Sequence, residues 1–442
     1  MKNQRKTSNT FVKKRVLMVA FHYPPCRGSS GLQRTLNFTR HLPKHGWDPA
    51  LLSIHPRAYP ETSADQMPDV PPEMPLERAY AFDAARHLSI KGRHFSASAL
   101  PDRWISWYLW GVPAGMRMIK KFRPAAIWST YPIATSLWIG YALHRKSGLP
   151  WIVDIRDPLT EDDPRTGERH PQNPKLWSAR RKIEERSILQ CSRVVLVTPG
   201  ARKIYVDRYG SLPANHWALI PNGYAEESFA EVEKNLNVPT RNGQPLHLLH
   251  SGILYPTPDR DPSAFFAALG KLREQGRISP QKLRITLRAS GYDDRYRVQI
   301  QKQKLDDIVT LAPSVPYREA LAEMMTADGL LVFQGYTSNP AVPAKLYEYL
   351  RAKRPIFAMV DSQGDTAATI RSAKTGLIVP LESSEEISQG LLKFLSDVDQ
   401  GLAPVADETV VRSFARESRA RDLATLLDEV AEEFDKSRKQ AS

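Results

Sequence analysis

Lys345 and Glu348 stand three residues apart in the run Pro343-Ala-Lys-Leu-Tyr-Glu-Tyr-Leu350. On a helix that spacing puts an ammonium and a carboxylate on one face. A cation at a helix N-terminus adds to the positive end of the macrodipole and favours an anion such as a diphosphate. A carboxylate one turn deeper is placed to accept hydrogen bonds from a ribose diol. The competing reading is an ordinary surface ion pair worth a few tenths of a kcal/mol, and spacing alone does not separate the two.

Other constellations are weaker. His22-Tyr-Pro-Pro-Cys-Arg-Gly28-Ser-Ser-Gly31 links an apolar run to a helical pattern, and such a loop brings backbone N–H groups close to a phosphate. It is not G-x-G-x-x-G, which argues against a nicotinamide enzyme. Asp259-Arg-Asp261 and Asp397-Val-Asp399 fit the D-x-D pattern of a metal-dependent transferase, but the first is split by arginine and the second ends a late helix. His41 and His45 have i, i+4 spacing with Pro43 between them and no third metal ligand apparent in sequence. No G-x-S-x-G, H-E-x-x-H or C-x-x-C occurs.

These residues need a scaffold that presents loops at the carboxyl ends of strands. Apolar runs at Arg15–Phe21, Ala125–Thr130, Trp151–Ile155, Val194–Val197, Leu246–His250, Leu283–Leu287, Ile308–Leu311, Gly329–Phe333 and Pro355–Val360 alternate with helical patterns, the signature of parallel α/β sheets. Ser338 or Asn339 is the expected cap of the Lys345 helix, with Pro343 in its first turn. The 442 residues suffice for two domains of roughly 200 residues each. Two cysteines, Cys26 and Cys191, cannot form a disulfide framework and suit a reducing, cytoplasmic setting. No signal peptide or transmembrane helix is expected.

Charge is uneven. Residues 1–224 hold 34 Lys+Arg against 17 Asp+Glu, and the remainder 28 against 31. A basic first half beside a near-neutral second points to an anionic partner. The cations are dispersed and carry no nucleic-acid motif, so no nucleic-acid partner is expected. An anionic membrane surface bearing a polyprenyl-phosphate-linked acceptor fits at least as well, and a solvated basic surface is the competing reading. The aromatic run Trp104–Trp110 beside a basic helix suits a membrane interface, but a core-facing helix is the preferred reading.

The motif P-x-K-x-x-E-Y-L followed by R-P-[ILV] resembles the nucleotide-sugar signature of glycosyltransferase family 4. So does the opening H-x-P-P-x-x-G with Gly31, Arg34, Gly46 and Trp47, together with D-x-R-D-P at Asp154–Pro158 and I-P-N-G at Ile220–Gly223. Pro340 stands where many members carry an earlier glutamate, and Lys353 replaces the usual small residue before R-P.

The resemblance implies a GT-B fold: two Rossmann-like α/β domains facing a central cleft, with a C-terminal helix packing back across both. It divides the chain into a basic disordered tail (1–14), an acceptor-side domain (15–222, with a long insertion at 55–103), a donor domain (223–405) and the returning segment (406–442). It further implies a hexosyltransferase-type enzyme, metal-independent and retaining. Such an enzyme moves a sugar from a nucleotide diphosphate to a lipid-linked or polysaccharide hydroxyl.

In that scheme Lys345 and Arg260 stabilise the leaving diphosphate and Glu348 holds the ribose. Gly252, Ser290, Gly291, Ser314, Val315 and the loop at Asn339, Ala341 and Val342 border the donor. His22, Gly28, Gly31, Arg34, Arg156 and Asp157 border the cleft on the acceptor side. No cofactor and no metal are expected, the nucleotide-diphosphate sugar being a co-substrate. Two alternatives stay open: an idle scaffold of this fold that binds an anionic membrane or polymer, and a nucleotide-sugar epimerase.

Overall fold

The computed structural model describes residues 14–27, 30–87, 99–163, 165–237 and 243–441. The first half builds a seven-stranded, wholly parallel sheet from β1 (Lys14–Val19), β2 (Trp47–Ile54), β3 (Leu76–Ala79), β4 (Ala126–Thr130) and β5 (Trp151–Ile155). A two-stranded hairpin, β6 (Glu161–Asp162) and β7 (Arg169–His170), precedes its last strands, β8 (Arg193–Leu196) and β9 (Trp217–Leu219). The order β3-β2-β1-β4-β5-β8-β9 reverses direction between β1 and β4. That reversal opens a crevice at the strands' carboxyl ends.

The second half repeats the plan with β10 (Leu246–Ser251), β11 (Leu283–Arg288), β12 (Val309–Ala312), β13 (Gly329–Gln334), β14 (Ile356–Val360) and β15 (Leu377–Val379). Their order, β12-β11-β10-β13-β14-β15, reverses between β10 and β13. Strands buried on both faces read as unbroken apolar runs, so Gly329-Leu-Leu-Val-Phe-Gln334 and Ile356-Phe-Ala-Met-Val360 are wholly buried.

Two expectations need correction. The segment 55–103 is not wholly an insertion to the sheet: among its described residues, β3 pairs in parallel with β2 as the sheet's edge. Leu-Glu-Arg-Ala is half exposed there and lacks an apolar signature. Neither Ser338 nor Asn339 caps the Lys345 helix. Residues Tyr336–Ser338 form a separate turn, and the helix Ala344–Ala352 starts behind Pro343 without a side-chain cap. The aromatic helix Trp107–Phe122 buries Trp107, Val112, Ala114 and Met118, so it is a core-facing helix.

The chain crosses between the sheets twice, and the crossings lie side by side. Tyr224 N–H donates to Phe414 O at 3.2 Å, and Arg416 N–H returns to Tyr224 O at 2.9 Å. A Cβ on Gly223 would sit 2.1 Å from Phe414 O, so the backbone approach requires glycine here. Past the second crossing, helix Arg416–Ala441 sends Leu423, Leu427 and Val430 into the core of the first sheet. Asp428 on it takes a hydrogen bond from Trp47 Nε1 at 3.3 Å and pairs with Lys14 at 2.9 Å.

Candidate active site

A cleft of about 710 Å³ separates the two sheets, within the range of small-molecule sites. From the second domain it is lined by Gly252, Arg260, Ser314, Val315, Lys345 and Glu348; from the first by Arg27, Gln33, Ser63, Asp65, Gln66 and Asp157.

The helix Ala344–Ala352 opens onto this cleft with Ala344 and Lys345 in its first turn. Glu348 is 4 % exposed. Its Oε2 lies 2.9 Å from Lys345 Nζ, and its Oε1 accepts the Tyr317 hydroxyl at 2.9 Å. Burial pushes the Glu348 carboxyl up. Lys345, Arg416 and the Tyr317 hydroxyl outweigh that and hold it below its ordinary value. The result is a buried carboxylate kept charged beside a part-exposed ammonium, facing a cleft.

Arg260 lies over the Tyr255 ring, 5.4 Å from its centroid, and pairs with Asp259 at 3.3 Å. The carboxylates of Asp259-Arg-Asp261 are thereby engaged: Asp261 accepts from the Ser263 N–H at 3.0 Å at a helix start. Gly252 has φ +149°, a backbone that L side chains avoid, and its N–H donates to Arg288 O at 2.9 Å.

Several anticipated donor residues lie outside the cleft lining. The Ser290 hydroxyl turns to Asp293, its carbonyl accepts Leu254 N–H at 3.0 Å, and Gly291 backs onto Ile253. Asn339 donates to Asp361 Oδ2 at 2.9 Å, Val342 is packed in the core, and the Ala341 carbonyl takes Gln334 and Thr366. The adjoining Pro340 carbonyl receives the Thr198 hydroxyl of the first domain at 2.6 Å, so this loop holds the domains together.

On the acceptor side, Asp157 is exposed and lines the cleft. Arg34 is a joint rather than a surface cation. It forks onto Asp154 at 2.7 and 3.0 Å and donates to the Ile220 and Pro221 carbonyls at 3.0 and 3.1 Å. Arg156 is buried, donates to Tyr131 O at 2.9 Å, and is pushed down by burial. A Cβ on Gly31 would meet its guanidinium at 2.5 Å, so glycine makes room for the arginine. Burial, with Arg156 second, drives His22 down to about 3. Gly28 lies outside the described residues.

Sequence reasoning missed Tyr317, Arg416 and Asp65. Arg416, 6 % exposed, reaches the cleft from the second crossing and donates to Gln33 Oε1 at 2.7 Å. Tyr317 closely follows Ser314 and Val315, which were expected to border the donor, and its place at a helix start was the available signal.

Residues 31–223 match the family described as glycosyl transferase 4-like domain. The first domain is a glycosyl transferase 4-like domain. Among solved structures, the Rickettsia africae glycosyltransferase aligns at TM-score 0.61 and 13% identity, covering 95% of this chain and 98% of that one. Sucrose-phosphate synthase from Thermosynechococcus elongatus aligns at 0.59 and 15%, covering 97% and 99%. Anabaena HepE in complex with UDP and glucose aligns at 0.56 and 12%, covering 97% and 100%. At these identities the likeness establishes the fold, which is GT-B across the whole chain. No curated protein sequence matches. Family domain and fold together make the chain a glycosyltransferase.

Proposed function

We propose that this glycosyltransferase takes a nucleoside-diphosphate sugar into the cleft, with the ribose on Glu348 and the diphosphate over the first turn of helix Ala344–Ala352. One observation carries the reading: Glu348 is buried and charged, yet its countercharge, Lys345, is 32% exposed and able to leave it. A donor would take Lys345 onto its diphosphate and offer ribose hydroxyls to the vacated Glu348 Oε2. The structure of Anabaena HepE, solved in complex with UDP and glucose, supports a donor of this kind.

In the transfer, the bond between the anomeric carbon and the diphosphate oxygen breaks as the acceptor hydroxyl attacks. Charge grows on the leaving diphosphate. Lys345 and Arg260 are fixed cations in place to neutralise it without a divalent ion. Retention follows if the departing phosphate oxygen takes the acceptor proton on the face it has just left. His22, held down at about 3, is too weak a base for that task.

The acceptor would be a glycan or lipid-linked hydroxyl entering past Asp157. The basic first half, and Phe82 against Trp110 at 5.7 Å with Leu109 65% exposed, support peripheral contact with an anionic membrane face in the cytoplasm. Among the described residues no helix is long and apolar enough to cross a membrane. The test is calorimetric titration with UDP, GDP and their sugar conjugates, in the native chain and in Glu348→Ala.

A further inference from the structure

His41, Glu227 and Glu417 converge where the two chain crossings meet. His41 ends the helix Ser30–His41 of the first domain. Glu227 lies in the first turn of helix Glu226–Glu233, whose Phe229 is buried in the second domain's core. Glu417 lies in the first turn of the returning helix Arg416–Ala441. One imidazole nitrogen and one oxygen from each carboxylate all fall within 4.8 Å of one another. None of the three lines the donor cleft.

The histidine is what points to a ligand. It is 2 % exposed, and neither ring nitrogen has a hydrogen-bond partner. Buried polar atoms without partners are rare in folded proteins. Its Nε2 stands 3.4 Å from Glu227 Oε1, aimed into the gap between the carboxylates. The Glu227 and Glu417 side chains are 41% and 48% exposed, so the gap is open to an entering ion. The cation now nearest Glu417 is Lys44, at 3.1 Å and itself 51% exposed, free to turn to solvent.

We propose that His41, Glu227 and Glu417 form a site for a divalent transition-metal ion, with Zn²⁺ as the occupant their donor set suits best. One imidazole and two carboxylates are zinc ligands, and water completes the four-coordinate shell. The ion takes one ligand from each domain and one from the crossing helix, so it pins the joint on which the cleft opens. It has no part in sugar transfer.

The experiment is calorimetric titration of the metal-free full-length chain with Zn²⁺, compared with the double variant Glu227→Gln/Glu417→Gln. Both substitutions sit on half-exposed side chains and leave the buried His41 in place. The expected result is one strong equivalent, weakened about tenfold or more in the variant. A rise in melting temperature with Zn²⁺ should appear in the native chain and disappear in the variant. No uptake, or uptake of equal affinity by both proteins with the ion on other histidines, would overturn the proposal.

Discussion

The Tyr317 hydroxyl donates to Glu348 Oε1 at 2.9 Å, while the Tyr317 backbone N–H donates to Asp65 Oδ2 across the cleft at 3.2 Å. One residue therefore orders the carboxylate assigned to the ribose and touches the opposite domain. Tyr317→Phe keeps the backbone contact and removes the hydroxyl. A hydrogen bond to a buried charge contributes about 1.5–3 kcal/mol, so nucleotide affinity should fall by about tenfold or more. Titration of the variant with UDP and GDP checks this, and unchanged affinity would remove Tyr317 from the donor site.

Lys345→Met separates two roles. The lysine counters the burial that pushes Glu348 up, so without it the carboxyl titrates at higher pH. A carboxyl held below its unfolded value stabilises the fold above that value and loses the contribution as pH falls through the folded one. The variant should therefore lose nucleotide affinity on acidification sooner than the native chain. Its turnover should fall about a hundredfold or more at neutral pH, from loss of leaving-group stabilisation. Affinities and initial rates measured from pH 7 to pH 5 decide both points.

Arg34→Met takes the ion-pair partner from the fully buried Asp154, which keeps the Thr130 hydroxyl at 2.8 Å, and frees the Ile220 and Pro221 carbonyls at the first crossing. Removing one partner of a buried ion pair costs about 3–5 kcal/mol. Denaturant unfolding should show that loss. Arg34→Lys should recover only part of it, because an ammonium cannot supply the fork.

His250 gives the acid limb a sign. Its Nδ1 bonds the Leu331 carbonyl at 2.8 Å, Nε2 has no partner, and burial holds it down at about 4. Between pH 6.5 and 4 the unfolded chain binds a proton at this residue that the folded chain does not. Stability should fall with pH in that window by about 1.4 kcal/mol per unit from this group. His250→Gln should flatten the slope of stability against pH there, whatever its absolute stability.

How much was legible in the sequence follows from how local each signal is. Apolar runs such as Leu330–Phe333 and the spacing of Lys345 and Glu348 are properties of short stretches, and both appear in the structure as read. Ile220-Pro-Asn-Gly223 marked the crossing because Gly223 answers a local backbone clash. Arg34 was read only as a border of the cleft because its partners, Asp154 and the Ile220 carbonyl, come from distant elements. Arg416 reaches the cleft only because the chain returns there, which no periodicity reveals. Ser290 and Asn339 sit on the loops that follow β11 and β13, but their side chains are taken by Asp293 and Asp361. His41 and His45 had helical spacing, yet the carboxylates near His41 come from two other helices.

Glu348 holds the nucleotide in this reading of the cleft. Calorimetric titration of the native chain and Glu348→Ala with UDP, GDP and their sugar conjugates tests it most directly. One nucleotide series should bind the native chain, and the variant should lose that binding by about tenfold or more, from loss of hydrogen bonds to a charged group. A folded native chain that binds none of them, or a variant that binds as well as the native chain, would contradict it.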